Sequence, residues 1–172
     1  MPVQRSYEIH LLDHVPPALL EGMLTFIKES IPVVKDEAHL LSRSKFILTE
    51  LVTNAIKHAN TMVSTVTVRL DANSISFVKT DTGDKLDVPQ MSSESVPHGK
   101  VITTDIMHTL YSVNENDRIT FYCHEHPEPS LDDEHTYPEH FGLLIITKAS
   151  DDFYYRYDQS SQTNIFTVTI NF

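Results

Sequence analysis

The chain has 172 residues, 40% of them hydrophobic, which is enough for one domain with a real core. Its 13 Lys+Arg against 24 Asp+Glu, a formal net charge of −11, leave no basic face for nucleic acid. One cysteine, Cys123, excludes an internal disulfide framework, and with neither a long apolar run nor a signal-peptide core the expectation is a cytoplasmic protein with no membrane partner.

Tyr7 to Leu12 reads as a short strand, ended by Asp13-His14 and the Pro16-Pro17 pair. Proline suits the first helical position. Leu19, Leu20, Met23, Leu24, Phe26 and Ile27 then recur with helical spacing until Pro32. A second helix is expected from the N-cap candidate Asp36 to about Ala59, with one break around Ser42–Ser44. Val63 to Leu70 and Ser74 to Lys79 follow as two strands that turn at Asp71-Ala72-Asn73. Thr80 to His98 is polar and reads as a loop, Val101 to Tyr111 as a helix, and Arg118 to Cys123 as a strand. Glu125 to His140 is an acidic, Pro- and His-rich loop. Leu143 to Ala149 is helix-like, and Phe153 to Tyr157 and Ile165 to Phe172 are the last strands. This order implies an α+β fold: a two-layer sandwich with helices on one face of a mixed, mostly antiparallel sheet, and an irregular insertion at about residues 84–141.

The strongest chemical signal lies late in the second helix. At about 100° per residue, Glu50, Asn54, Lys57 and His58 fall in one sector, while Leu48, Leu51, Val52, Ala55 and Ile56 fill the other side. A solvated face with an i,i+7 ion pair accounts for that pattern. So does a site, with a carboxylate to orient or deprotonate a nucleophile, an amide oxygen for Mg²⁺ and an ammonium for phosphate. Thr80-Asp81-Thr82-Gly83 adds an aspartate able to accept from an exocyclic amine, although most Asp-x-Gly pairs are plain turns.

A helix ending Glu-x-x-x-Asn-x-x-Lys-His-Ala, two strands and then Asp-x-Gly resembles the Bergerat-fold (GHKL, histidine-kinase-like) ATP-binding domain. Within that superfamily the pattern is most similar to the free-standing anti-sigma-factor serine kinases. The likeness covers roughly Tyr7 to Gly83 and Gly142 to Phe172. It implies ATP and Mg²⁺ as cofactors, with Glu50 as the catalytic base and Asn54 as the Mg²⁺ ligand. Lys57 and His58 would lie beside the phosphates and sugar. Asp81 would hold the adenine amino group, Gly83 would lie beneath the ring, and Gly142 would sit at a phosphate-facing helix N-terminus. The resemblance also implies a protein partner of the anti-anti-sigma or sigma-factor type, phosphorylated on Ser or Thr or sequestered, and a homodimer.

The match has gaps. Lys85 stands where the family has the second glycine of Asp-x-Gly-x-Gly, and His140 replaces the first glycine of the phosphate-side Gly-x-Gly. His98-Gly99-Lys100 is a rival phosphate loop. These departures keep open an alternative, a catalytically inactive binding module with a degenerate nucleotide lid. Cys123, His124 and His126 offer zinc-type ligands, but their spacing matches no closed site and suits a solvated loop.

Overall fold

The computed structural model describes residues 2–10, 14–58, 60–87, 99–105, 107–115, 117–126 and 141–172. Strand β1 (Val3–His10) leads to helices α1 (Pro17–Ser30) and α2 (Glu37–His58), then to the hairpin β2 (Val63–Leu70) and β3 (Ser74–Asp81). Strands β4 (Lys100–Thr104), β5 (His108–Glu115) and β6 (Arg118–Glu125) follow, and the chain closes with α3 (Phe141–Ala149), β7 (Asp152–Asp158) and β8 (Thr163–Asn171).

Local chemistry explains both long helices. Pro17 occupies the first turn of α1, where a missing N–H costs nothing, and the Ile31 N–H closes the last turn on the Ile27 carbonyl before Pro32. Asp36 caps α2, accepting from the His39 N–H at 3.1 Å. The break expected at Ser42–Ser44 does not occur. Ser44 is buried and turns its hydroxyl back onto the Leu40 carbonyl at 2.8 Å, so the helix absorbs it. Beyond the helix, Asn60 takes a left-handed backbone at φ 44°, a conformation that asparagine tolerates and that ends helices.

The eight strands among the described residues join one sheet in the order β1-β2-β3-β8-β7-β6-β5-β4. Every ladder is antiparallel, so the expected mixed character is corrected. The helix expected at Val101–Tyr111 is likewise replaced by β4, a tight turn and the start of β5. Its apolar positions are largely β-branched (Val101, Ile102), set among Thr103, Thr104 and Thr109, and such residues favour a pleated surface. Asp105 reverses the chain: its carboxylate accepts from the N–H groups of Met107 and His108 at 2.7 and 2.6 Å, and its own N–H bonds the His108 carbonyl. Much of the expected irregular insertion is therefore ordered sheet. The remainder of the expected loops, 88–98 and 127–140, lies outside the described residues, as do residues 11–12 of the expected first strand.

The sheet buries one face. Ile9, Val66, Phe77, Val168 and Phe153 share a face by register and join one hydrophobic cluster with Met23 and Ile27 of α1, Leu48 and Leu51 of α2, and Ile146 of α3. Each fully buried side chain of this kind contributes roughly 1.5–3 kcal/mol. No helix among the described residues is long and apolar enough to cross a membrane.

Candidate functional site

Two polar centres interrupt this core. The first is on the sheet. Residues 75, 77, 79 and 81 of β3 all face inward, so the alternation that buries Ile75 and Phe77 also buries Lys79 and Asp81, at 3% and 5% exposure. Lys79 Nζ lies 2.6 Å from Asp81 Oδ2 and 4.6 Å from the centre of the Phe166 ring. On β8, directly opposite Asp81, Asn164 donates its amide to Asp81 Oδ1 at 2.8 Å and to the carbonyls of Gly83 and Asp84 at 3.1 Å. The Gly83 N–H closes onto the same Oδ1 at 3.1 Å. Tyr155 donates to Asn164 Oδ1 at 2.8 Å and accepts from the Leu86 N–H. Burial pulls the Lys79 ammonium below the usual lysine range, and the adjacent carboxylate opposes that shift. Among the described residues, no buried side-chain nitrogen or oxygen lacks a partner.

The second centre lies between helices. Arg43 of α2 donates to the Ala149 carbonyl at 2.9 Å and pairs with Asp151, while Glu50 and Asn54 lie against Gly142. Helix α3 therefore runs antiparallel along α2 and points its N-terminal turn at Glu50 and Asn54. The approach is close enough that a larger residue would displace the Glu50 carboxylate. A Cβ on Gly142 would stand 2.7 Å from Glu50 Oε2 and 3.4 Å from Asn54 Oδ1. The positive end of a helix dipole beside a carboxylate is favourable. Burial nonetheless raises the Glu50 carboxyl above its usual range, with the Lys57 charge acting to lower it. Lys57 and His58 are exposed on the last turn of α2.

The expected site residues thus fall into two groups. Glu50, Asn54 and Gly142 converge; Asp81 and Gly83 form the second centre. Between them, Asn60, just past α2, donates to Asp84 at 2.9 Å. The rival Gly99 packs instead on β5, where an added Cβ would lie 2.7 Å from the Tyr111 ring and 2.9 Å from the Ser112 carbonyl. Beside the Asp81 turn, a cavity of about 670 Å³ is lined by Lys85, Leu86, Lys100, Asn114 and Ile119, among others. Sequence reasoning missed Lys79 and Asn164. Their signal was parity: each occupies an inward position of an otherwise apolar alternation.

No protein-family model matches the chain, and no curated protein matches it either.

Proposed function

We propose that the protein is a Mg²⁺-ATP-binding regulatory module of the histidine-kinase-like type, acting on a protein partner as anti-sigma-factor serine/threonine kinases do. The observation that carries this reading is the contact of Glu50 and Asn54 with Gly142 at the first turn of α3. A helix N-terminus with free N–H groups is a natural phosphate seat, and an amide oxygen beside it is a hard ligand suited to Mg²⁺. In an acidic protein, a polyanion needs such local positive poles.

Within this reading Asn54 supplies the metal ligand, and Glu50, with its carboxyl raised by burial, accepts the proton of a partner Ser or Thr hydroxyl. Bound Mg²⁺ would neutralise charge on the phosphoryl oxygens during transfer. Lys57 and His58, exposed at the end of the same face, offer positive charge and hydrogen bonds to the phosphates and sugar. At the other end, Asp81 holds the base. A carboxylate has about four acceptor sites, and three donors already reach this one, from Lys79, Asn164 and Gly83. One position is left for an exocyclic amine. Calorimetry with Mg-ATP tests the reading: saturable binding is expected, and Asn54→Ala should abolish its Mg²⁺ dependence. Unchanged affinity in that variant removes the mechanism.

A second reading, an inactive binding module, is favoured by Lys85. It stands at the position of a family glycine and lays its ammonium 5.2 Å from the centre of the Tyr157 ring. A thermal-shift scan with ATP, ADP and Mg²⁺ separates the two, since ligand at 100 times its dissociation constant adds about 2.7 kcal/mol. No shift at millimolar nucleotide selects the inactive module.

A further inference from the structure

Cys123, His124 and His126 are neighbours in sequence, but the pleat of β6 divides them. Cys123 lies opposite Leu110 on the helix-packed side, away from the two imidazoles. His124 and His126 emerge together on the face opposite the one on which the described helices pack. Their ring centroids are 5.7 Å apart and their planes lie at 83°. His124 is exposed and His126 half-buried.

A hydroxyl chain orients the second ring. Thr109, opposite His124 in the β5–β6 ladder, holds Oγ1 2.9 Å from His126 Nε2, and Thr104 Oγ1 lies 3.2 Å beyond it. With the Thr109 hydroxyl donating to Thr104, its oxygen accepts the Nε2 proton, and the lone pair of His126 is left on Nδ1. Oxygens outside the ligand set fix metal-binding histidines in this way. The backbone helps as well, because the His126 N–H is bonded to the Met107 carbonyl at 2.8 Å.

We propose that His124 and His126 form a two-imidazole chelate for a borderline divalent cation of the Cu²⁺, Ni²⁺ and Zn²⁺ class, with Thr109 as the positioning residue. Nitrogen donors select these ions over Mg²⁺ or Ca²⁺. Among the described residues, no third His, Cys, Asp or Glu completes a closed cage. Two imidazoles leave further coordination positions to be filled by water or another ligand. The net charge of −11 favours cation approach.

The test is Cu²⁺ titration of the full chain by calorimetry, with electron paramagnetic resonance of the first equivalent. The expected result is one-to-one binding whose spectrum shows two nitrogen ligands. His124→Ala and His126→Ala should each remove one nitrogen from that spectrum, and Thr109→Val should weaken affinity about 10-fold or more. Cys123→Ser should leave the first equivalent intact. Circular dichroism confirms that the variants keep their fold, as expected for substitutions on the face opposite the described helices. An unchanged first equivalent in the His124→Ala/His126→Ala double variant, or its loss in Cys123→Ser, overturns the proposal.

Discussion

The carboxylates of Asp81 and Glu50 stand in opposite circumstances. Asp81 is almost wholly buried and ringed by an ammonium, an amide and a backbone N–H. Glu50 is half-buried beside Gly142, with the charge of Lys57 acting on it. The difference lies in which carboxylate can take up a proton. A buried polar network with every member partnered specifies one arrangement of strands, whereas a carboxylate partly removed from water and short of donors retains the capacity to take a proton.

Breaking the buried pair gives the largest effect. Removing one partner of a buried ion pair leaves the other charge uncompensated, so Lys79→Met is expected to lower unfolding stability by about 3–5 kcal/mol in urea denaturation. Replacing both partners, Lys79→Met with Asp81→Leu, should recover most of that loss, because a well-packed apolar pair avoids the desolvation of both ions. A loss below about 1 kcal/mol in the single variant would place Asp81 in the same class as an exposed carboxylate, and the contrast would disappear.

Gly142→Ala probes the other end with a smaller effect. The new Cβ would stand 2.7 Å from Glu50 Oε2, so the carboxylate must swing aside. Crowding of this kind costs about 1–3 kcal/mol, while alanine in place of glycine in a helix recovers up to about 1 kcal/mol. Net stability should therefore fall only slightly, and Mg-ATP affinity should fall further than stability does. Truncating the obstructing group supplies the control: Gly142→Ala/Glu50→Ala should be more stable than the two single changes sum to. Additivity in that double-mutant cycle would mean that α3 and Glu50 are not in close contact.

The same contrast explains what could be read from the chain. The second and third strands, both long helices and the last two strands were legible because their apolar residues repeat at 2.0 or 3.6 positions with proline, aspartate or asparagine at the ends, whereas of the first strand, which begins at Val3, only the part from Tyr7 was read. Residues 101–111 were not. Ile102, Ile106 and Leu110 recur at i, i+4 and i+8 and so fit a helical stripe, and only the Asp105 turn and the cross-strand partner β6 decide for two short strands. The polar stripe of α2 was visible in the sequence, since helical geometry alone aligns Glu50 with Asn54. What faces it was grouped with it only through the family resemblance, because Gly142 lies 88 residues beyond Asn54 (142 − 54) and no spacing rule links them. Lys79 and Asn164 are the instructive case. Charge and amide were in view, but reading them as buried requires trusting strand alternation over hydropathy.

The smallest effect is a pH dependence, and it sets the two carboxylates apart most directly. Burial holds the Glu50 carboxyl above its ordinary value in the native state. The unfolded chain then loses this proton at lower pH than the native protein does. In the window between the two values the native state binds more protons, so stability declines as pH rises through it. Below the window there is no penalty; above it the penalty is complete. Glu50→Gln removes the titration, and should abolish that decline just above the ordinary glutamate range while adding no more than about 0.5 kcal/mol at neutral pH. Superimposable profiles for the wild-type and Gln proteins would mean that Glu50 is as well solvated folded as unfolded, and its assignment as the proton-accepting carboxylate would fail with the contrast to Asp81.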